Sequence, residues 1–218
     1  FSSQAADNWF WVGLIGVVSI VYGALVALAQ RDFKRLIAYS SVSAMGYVLL
    51  GLAVINATAA AGALFQMIAH GISSAMMFFI VGVLANRAHH RDIPKLGGLA
   101  TTMPLYTGWA AVAFFASMGL PGLCGFIGEL LILLGTFSAA DPHGFLARHS
   151  MSVIGVSGPL LWFGALAAGT IVITAAYHPW TFQRVYMGAP RPEHQNFARL
   201  TGSEKWILAL LGLSAIIL

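Results

Sequence analysis

A succession of long apolar runs constrains the fold of this chain more than any other feature. Six runs can be drawn, over residues 10–30, 36–55, 60–85, 105–137, 153–182 and 206–218. The first five reach the ~20 residues that a helix needs to cross the hydrocarbon core of a bilayer. Backbone groups must be satisfied internally in lipid, so such runs are expected to be helical. The sequence therefore predicts an all-α, polytopic transmembrane helix bundle of about six helices.

The composition supports a membrane environment. Hydrophobic residues make up 59% of the chain and charged residues 8%, whereas soluble domains carry about 25% charged residues. The net charge of +4 does not indicate a nucleic-acid surface, because the basic residues lie in the connections between apolar runs. We expect the lipid bilayer, and no nucleic acid, as a partner.

The basic residues also predict the orientation of the bundle. Only Arg148 lies in a connection on the opposite side from the rest. The positive-inside rule places the side that carries the other ten basic residues in the cytoplasm or an equivalent compartment. Its ten basic residues are Arg31, Lys34, Arg35, Arg87, Arg91, Lys95, Arg184, Arg191, Arg199 and Lys205.

Both ends of the chain indicate a fragment of a longer polytopic protein. The chain starts without Met, and it stops inside an apolar run. We expect residues 1–218 to form a single membrane domain.

The fourth run predicts a broken helix. Its 33 residues would extend about 50 Å as an ideal helix, against ~30 Å of hydrocarbon. Pro121 removes a backbone donor and Gly122 loosens the chain, so we expect the break at these two residues.

Glu129 follows this break and is the only carboxylate inside an apolar run. An acid at bilayer depth costs roughly 2.5–3.5 kcal/mol, so it normally faces protein or a hydrated cavity and marks a proton or ion path. The alternative is a plain proline kink in which Glu129 is paired with a static partner.

The third run carries a polar face in addition to its apolar one. The members of this face recur at helical spacings of three and four: Gly62, Gln66, His70, Ser73 and Ser74. In lipid such a face turns toward other helices or water. His70 is then either a proton relay, since imidazole titrates near neutral pH, or a hydrogen-bond bridge between helices.

Two further features carry weaker signals. Tyr39 and Ser43, at the start of the second run, present hydroxyls that order water or satisfy backbone groups near an interface. His178 and Pro179 interrupt the fifth run, and the sequence favours a kink there over a site.

The chain has one cysteine, Cys124. One thiol excludes a disulfide within the chain and a cysteine-ligated iron–sulfur cluster, which needs about four thiolates. Nucleotide-binding glycine motifs and plausible ligand sets for iron or haem are also absent from the sequence. We expect no metal site and no redox centre in this chain.

Several ordered motifs carry a family resemblance. RDFKRLIAYSSVS at 31–43 and QMIAHGISS at 66–74 resemble consecutive signatures of the antiporter-like subunits of respiratory complex I. HRDI at 90–93, GGL at 97–99 and the segment 120–129 most resemble subunit M of NADH–quinone oxidoreductase, called chain 4 in mitochondria. QRVYMG at 183–188 resembles the end of that subunit's penultimate helix region.

This resemblance implies a carboxyl-terminal portion of a proton-translocating membrane subunit. The family has two inverted helical repeats, each with a broken helix and buried charged residues on a hydrated axis. On that pattern Glu129 is the terminal acid of the axis and His70 its neighbour. Lys34 matches a basic position of a loop motif, although its charge serves membrane topology equally well. The upstream repeat lies outside this sequence.

The resemblance also implies the surroundings of the chain. It would be a subunit of an enzyme, NADH–quinone oxidoreductase, and NADH, flavin, iron–sulfur clusters and quinone would be held by partner subunits. Its direct partners would be other membrane subunits. The location would be the bacterial inner membrane or the mitochondrial inner membrane.

The sequence departs from the family pattern at three places. Ala44 stands where the motif around Ser43 usually continues with histidine, so water held by Tyr39 and Ser43 is one expected substitute. The outer connection at 138–155 is longer than expected. His178-Pro179-Trp180 replaces residues that are usually apolar.

Other classes remain open at this point. A subunit of a multi-subunit sodium/proton antiporter, or of a membrane-bound hydrogenase-type complex, would share the same core motifs. A non-conducting structural module is a third possibility, and it predicts no ordered water between His70 and Glu129.

Overall fold

The computed structural model describes residues 3–140, 157–194 and 197–218. Within these ranges the chain forms eight α-helices and two short 3-10 helices, and the predicted all-α membrane bundle is confirmed. The α-helices are α1 (Ser3–Leu28), α2 (Phe33–Ala53), α3 (Ala57–Ala88), α4 (Leu99–Thr102), α5 (Pro104–Ser117), α6 (Cys124–Ala139), α7 (Ser157–Tyr186) and α8 (Gly202–Ile217). Arg148 and most of the predicted 138–155 connection lie outside the described residues.

Local sequence sets where these helices begin. Asp32 caps α2 by accepting a hydrogen bond from the Arg35 amide at 3.0 Å, and Asn56 caps α3 in the same way. Pro104 occupies the first position of α5, where its missing N–H costs nothing. A reciprocal capping box between Thr201 and Glu204 starts α8.

Among the described residues, four helices are long and apolar enough to cross a membrane: Asn8–Leu28, Phe33–Ala53, Ala57–Ala88 and Gly158–Tyr186. The fourth predicted run forms two shorter helices, α5 with 14 residues and α6 with 16. At 1.5 Å per residue each extends only about 21–24 Å, so the two together make one broken crossing. Pro121 and Gly122 lie between them, as the sequence predicts.

Small residues bring the helices close together. A Cβ atom on Gly46 of α2 would lie 2.7 Å from the Gly16 carbonyl oxygen of α1, and one on Gly62 of α3 would lie 2.8 Å from the Ile132 amide of α6. Close backbone approach of this kind is how helices associate in lipid, where hydrophobicity drives no pairing. It fixes α2, α3 and α6 around a common interior.

Helix α7 closes this interior from the side of α1 and α6. The hydroxyl of Tyr47 on α2 donates a 2.7 Å hydrogen bond to the Ala167 carbonyl of α7. Because this bond is buried, it fixes the register of α7 against α2.

The basic connections meet at one end of the bundle. The amide of Phe33 donates to the Arg91 carbonyl and the amide of Ile93 to the Arg31 carbonyl, at 2.9 and 2.8 Å. The Gly98 amide donates to the Met187 carbonyl at 3.0 Å. The first, third and fifth connections therefore share an end, as their charge predicts. We call it the basic end.

Candidate proton-transfer cavity

The helix break between α5 and α6 is a hydrogen-bonded turn. The Gly119 amide donates to the Ala116 carbonyl at 3.2 Å, and the Leu120 amide to the Phe115 carbonyl at 3.0 Å. Gly119 has a φ of +75°, a left-handed conformation that glycine adopts without steric cost. This pairing pattern is a Schellman motif, which ends α5 and satisfies its last carbonyl groups inside the membrane.

Glu129 lies on the second turn of α6, with its carboxyl group against this turn. A Cβ atom on Gly119 would lie 2.8 Å from Oε2 of Glu129. The Glu129 side chain is 9% exposed. The break therefore supplies the space in which a carboxyl group is held in the protein interior.

Glu129 and His70 line the same internal cavity, of about 20 Å³. That volume is enough for about one water molecule. The walls come from α2, α3, α6 and α7 and from the end of α5. Its polar members are Ser40, Ser41, Ser43, Tyr47, His70, Ser74, Ser117, Glu129, Thr174 and Tyr177, and its apolar members Ile37, Ala44 and Met77.

Hydroxyl groups on α2 present acceptors to this cavity. Ser40 donates to the Ile37 carbonyl at 2.8 Å, and Ser43 donates to the Ile20 carbonyl at 2.9 Å. With the hydrogen of each hydroxyl directed at a carbonyl, the oxygen lone pairs are left to accept from other groups. A water molecule or a protonated side chain can donate to them.

The ion pairs of the described residues all lie at the basic end. They join Arg87 to Glu204, Arg91 to Asp32 and Lys95 to Asp92. Within the described ranges, no basic side chain lies within ion-pair distance of Glu129. The static ion pair that the sequence left open is therefore not formed by this part of the chain.

The structure brings four predicted site residues together: Ser43, His70, Ser74 and Glu129 line one cavity. Gln66 lies beside it at the contact of α3 and α6, where a Cβ atom on Gly128 would collide with its side chain.

The remaining predicted side chains lie apart from the cavity walls. Ser73 donates to the His70 carbonyl at 3.4 Å, and the Tyr39 ring lies 6.5 Å from that of Tyr22. Lys34 is exposed in the first turn of α2 at the basic end. Their roles in water ordering and proton transfer stay predictions.

The cavity also contains residues that sequence reasoning missed. Tyr47 follows Ser40 and Ser43 at helical spacings of seven and four, and that period on α2 was a usable signal. Thr174 and Tyr177 of α7 belong to a row of polar residues at spacings of three and four, with Thr170 and Thr181, and that row was also a usable signal. Their position depends on how α7 packs against α2.

Comparison with known proteins gives a consistent result. The profile of the family described as "NADH:quinone oxidoreductase/Mrp antiporter, TM" matches residues 1–155. The chain is 45% identical over 177 residues to F(420)H(2) dehydrogenase subunit M of Methanosarcina mazei, which covers 81% of this chain and 32% of that protein. It is 39% identical over 202 residues to NADH-quinone oxidoreductase subunit M of Rhodobacter capsulatus, which covers 92% and 36%.

The fold matches a solved respiratory complex. A chain of respiratory complex I from Thermus thermophilus with bound NADH superposes with a TM-score of 0.82 at 31% identity, over 98% of this chain and 41% of that chain. The sequence spans about a third of the length of the curated relatives it matches.

Proposed function

The chain belongs to the NADH:quinone oxidoreductase/Mrp antiporter transmembrane family, and on that premise we propose that it is part of a proton-translocating membrane subunit of subunit M type. The subunit would work in an NADH–quinone oxidoreductase in the bacterial or mitochondrial inner membrane. Electron transfer would occur in partner subunits.

One observation carries this proposal: a buried carboxyl and an imidazole face one small polar cavity built at a helix break. Imidazole and carboxyl groups inside membranes are the side chains from which proton relays are built. A water in the cavity would accept hydrogen bonds from one and donate to the other.

The proposed step is a plain proton exchange. Glu129 gains a proton when an O–H bond forms at its carboxylate and loses it when that bond breaks toward water. His70 does the same at a ring nitrogen. Each group returns to its starting state, so the net result is movement of H⁺ along the cavity.

We propose that this chain holds no redox cofactor of its own. Its single cysteine cannot ligate an iron–sulfur cluster, which needs about four thiolates, and the part of the chain that the structure describes has no group of three His, Cys, Asp or Glu that could hold a metal. In this proposal NADH, flavin, iron–sulfur clusters and quinone are held by partner subunits.

The test is Glu129→Gln in the purified membrane complex, reconstituted in vesicles. Glutamine keeps the shape of the side chain but cannot exchange the proton, so proton translocation should fall about 100-fold, as on removal of a general acid–base group. Glu193→Gln is the matched control, because Glu193 is exposed in the short helix Pro192–His194. Full translocation by Glu129→Gln would contradict the proposal.

A second candidate is a subunit of a sodium/proton antiporter, which the family description also includes. Purification of the native complex distinguishes the two candidate functions. Flavin and iron–sulfur subunits that co-purify with the chain support the redox complex. Sodium-driven proton exchange by an assembly without such subunits supports the antiporter.

A further inference from the structure

Helix α7 carries a buried histidine that the proposed function does not use. His178 is 1% exposed. Its Nδ1 lies 3.0 Å from the Thr174 carbonyl oxygen, one turn earlier in the helix. A carbonyl oxygen only accepts hydrogen bonds, so Nδ1 carries the hydrogen and neutral His178 presents a bare acceptor at Nε2.

Two buried polar atoms of α7 lack a hydrogen-bond partner. Neither Nε2 nor Oγ1 of Thr181, which is fully buried one turn further on, makes a hydrogen bond within the described part of the chain. Pro179 lies between them in sequence but is exposed, so it belongs to the other face of α7. An unpaired ring nitrogen and an unpaired hydroxyl one turn apart are partners that an internal water could join.

His178 also adjoins the cavity of Glu129. Thr174 and Tyr177 both line that cavity. Thr174 accepts the Nδ1 hydrogen bond of His178, and the Tyr177 ring stacks on the imidazole with centroids 4.5 Å apart. The imidazole also meets the Phe114 ring edge to face, with centroids 6.0 Å apart.

The direction of α7 places His178 between the cavity and the basic end. The helix runs from the cavity residue Thr174 to Tyr186, just before the loop that bonds Gly98 to Met187. His178 is one turn, about 6 Å, further toward that loop than Thr174. Thr181 continues the same direction by about 4.5 Å.

We propose that His178 is a second proton-relay residue, which works with Thr181 and internal water to connect the Glu129 cavity with the basic end. This role rests on the proposed function of the cavity.

The relay step forms and then breaks one N–H bond, at Nε2 of His178. A proton on water forms an N–H bond with Nε2 of neutral His178, which becomes an imidazolium. The same bond breaks when the proton passes to the next water or to the Thr181 hydroxyl, which passes on its own hydrogen. Nδ1 keeps its hydrogen on the Thr174 carbonyl throughout, and His178 ends neutral.

The test uses His178→Phe and His178→Gln in the complete reconstituted complex. Phenylalanine keeps the ring contacts with Phe114 and Tyr177, and glutamine keeps a hydrogen-bonding group, but neither exchanges a proton. Both should assemble, and both should lower the rate of proton translocation about 100-fold, the lower end of the range for a general acid–base group. If the phenylalanine variant fails to assemble, the glutamine variant decides.

A structural role for the ring predicts a different outcome. His178→Phe would then translocate protons at the wild-type rate, and that result would overturn the relay. Thr181→Val, which replaces a hydroxyl with a methyl group, tests the same route independently. If both residues serve one route, the double variant His178→Gln/Thr181→Val should be no slower than the slower single variant. Defects that multiply would show that the two residues act independently and would overturn the proposal.

Glu129→Gln separates this inference from the function it rests on. If Glu129→Gln stops translocation and the His178 variants do not, the cavity function stands and the relay is wrong. If neither change affects translocation, both are wrong.

Discussion

At the scale of single residues, the Glu129 carboxyl depends on the absence of a side chain at Gly119. The left-handed φ of +75° ends α5, and the missing Cβ leaves the space that Oε2 occupies. One glycine thus serves both the turn and the site. These two roles can be separated, because Gly122 in the same break also has a positive φ of +95° but nothing within 4 Å of a Cβ position.

Gly119→Ala should displace the carboxyl, whereas Gly122→Ala should not. Each change costs about 1–2 kcal/mol of backbone strain, so the two variants should lose similar thermal stability. Proton translocation by the assembled complex should fall severalfold more in Gly119→Ala. Equal translocation by the two variants would show that contact with Gly119 does not position Glu129.

His70→Gln distinguishes the two roles that its sequence position leaves open. Glutamine forms hydrogen bonds but does not exchange a proton near neutral pH, so a bridging role survives the change and a relay role does not. We expect about 100-fold slower translocation with unchanged assembly. A normal rate would assign His70 to helix bridging and leave Glu129 as the titrating group of the cavity.

At the scale of helices, the contact between α3 and α6 holds His70 opposite Glu129. A Cβ atom on Gly62 would lie 2.8 Å from the Ile132 amide and 2.8 Å from the Leu131 Cβ. Neither group can move without a shift of α6 itself. An added methyl group at Gly62 should therefore shift α6 and alter the cavity, which lies one to two turns away along each helix.

Gly62→Ala should destabilise the bundle by about 1–3 kcal/mol, the usual cost of overpacking. Gly71→Ala on the same helix is the control, since a Cβ there meets nothing within 4 Å. Alanine has the higher helix propensity, so the control should be unchanged or slightly more stable. Thermal unfolding of the purified complex measures both, and equal behaviour would contradict a tight α3–α6 contact.

Helix α6 and helix α7 show what the sequence does and does not predict. The break at Pro121 and Gly122 can be predicted from a single segment. As one helix its 33 residues would be longer than the bilayer core is thick, and they include a proline, which has no N–H. The side of α7 that faces Glu129 depends on contacts between distant segments, such as Tyr47 with Ala167. Thr174 and Tyr177 lie on a row of polar residues in the fifth run, but the sequence does not specify that this row faces Glu129. Lys34 was matched through a loop motif, which specifies no position relative to the cavity.

At the scale of the whole molecule, Arg87 joins the end of α3 to the start of α8. Its guanidinium donates to both carboxylate oxygens of Glu204, at 3.0 and 2.7 Å, and to the carbonyls of Ala198 and Arg199. The two side chains are 10% and 19% exposed. The planar guanidinium makes four bonds to the segment 198–204 and a fifth to the Val83 carbonyl of its own helix. Such a fork fixes a segment more firmly than a single point charge does.

Arg87→Lys should loosen this attachment although it keeps the charge. Lysine cannot reproduce the bidentate pairing, so hydrogen-exchange protection of amides 198–204 should fall about tenfold, while protection within α3 should not change. Arg191→Lys is the control: Arg191 lies at the same end but contacts the Pro94 carbonyl instead. Equal protection in the Arg87 variant and the wild type would show that charge alone holds α8.

The same attachment should depend on pH in one direction. Hydrogen bonds from Arg87 lower the pKa of Glu204 below its ordinary value, about 4.3. A carboxyl whose pKa is lower in the folded state contributes stability above its ordinary pKa and loses it as the pH falls through the lowered value. Protection factors at 198–204 should therefore hold at neutral pH and decline in acid, and Glu204→Gln should remove that decline. A decline that persists in Glu204→Gln would assign it to another carboxyl group.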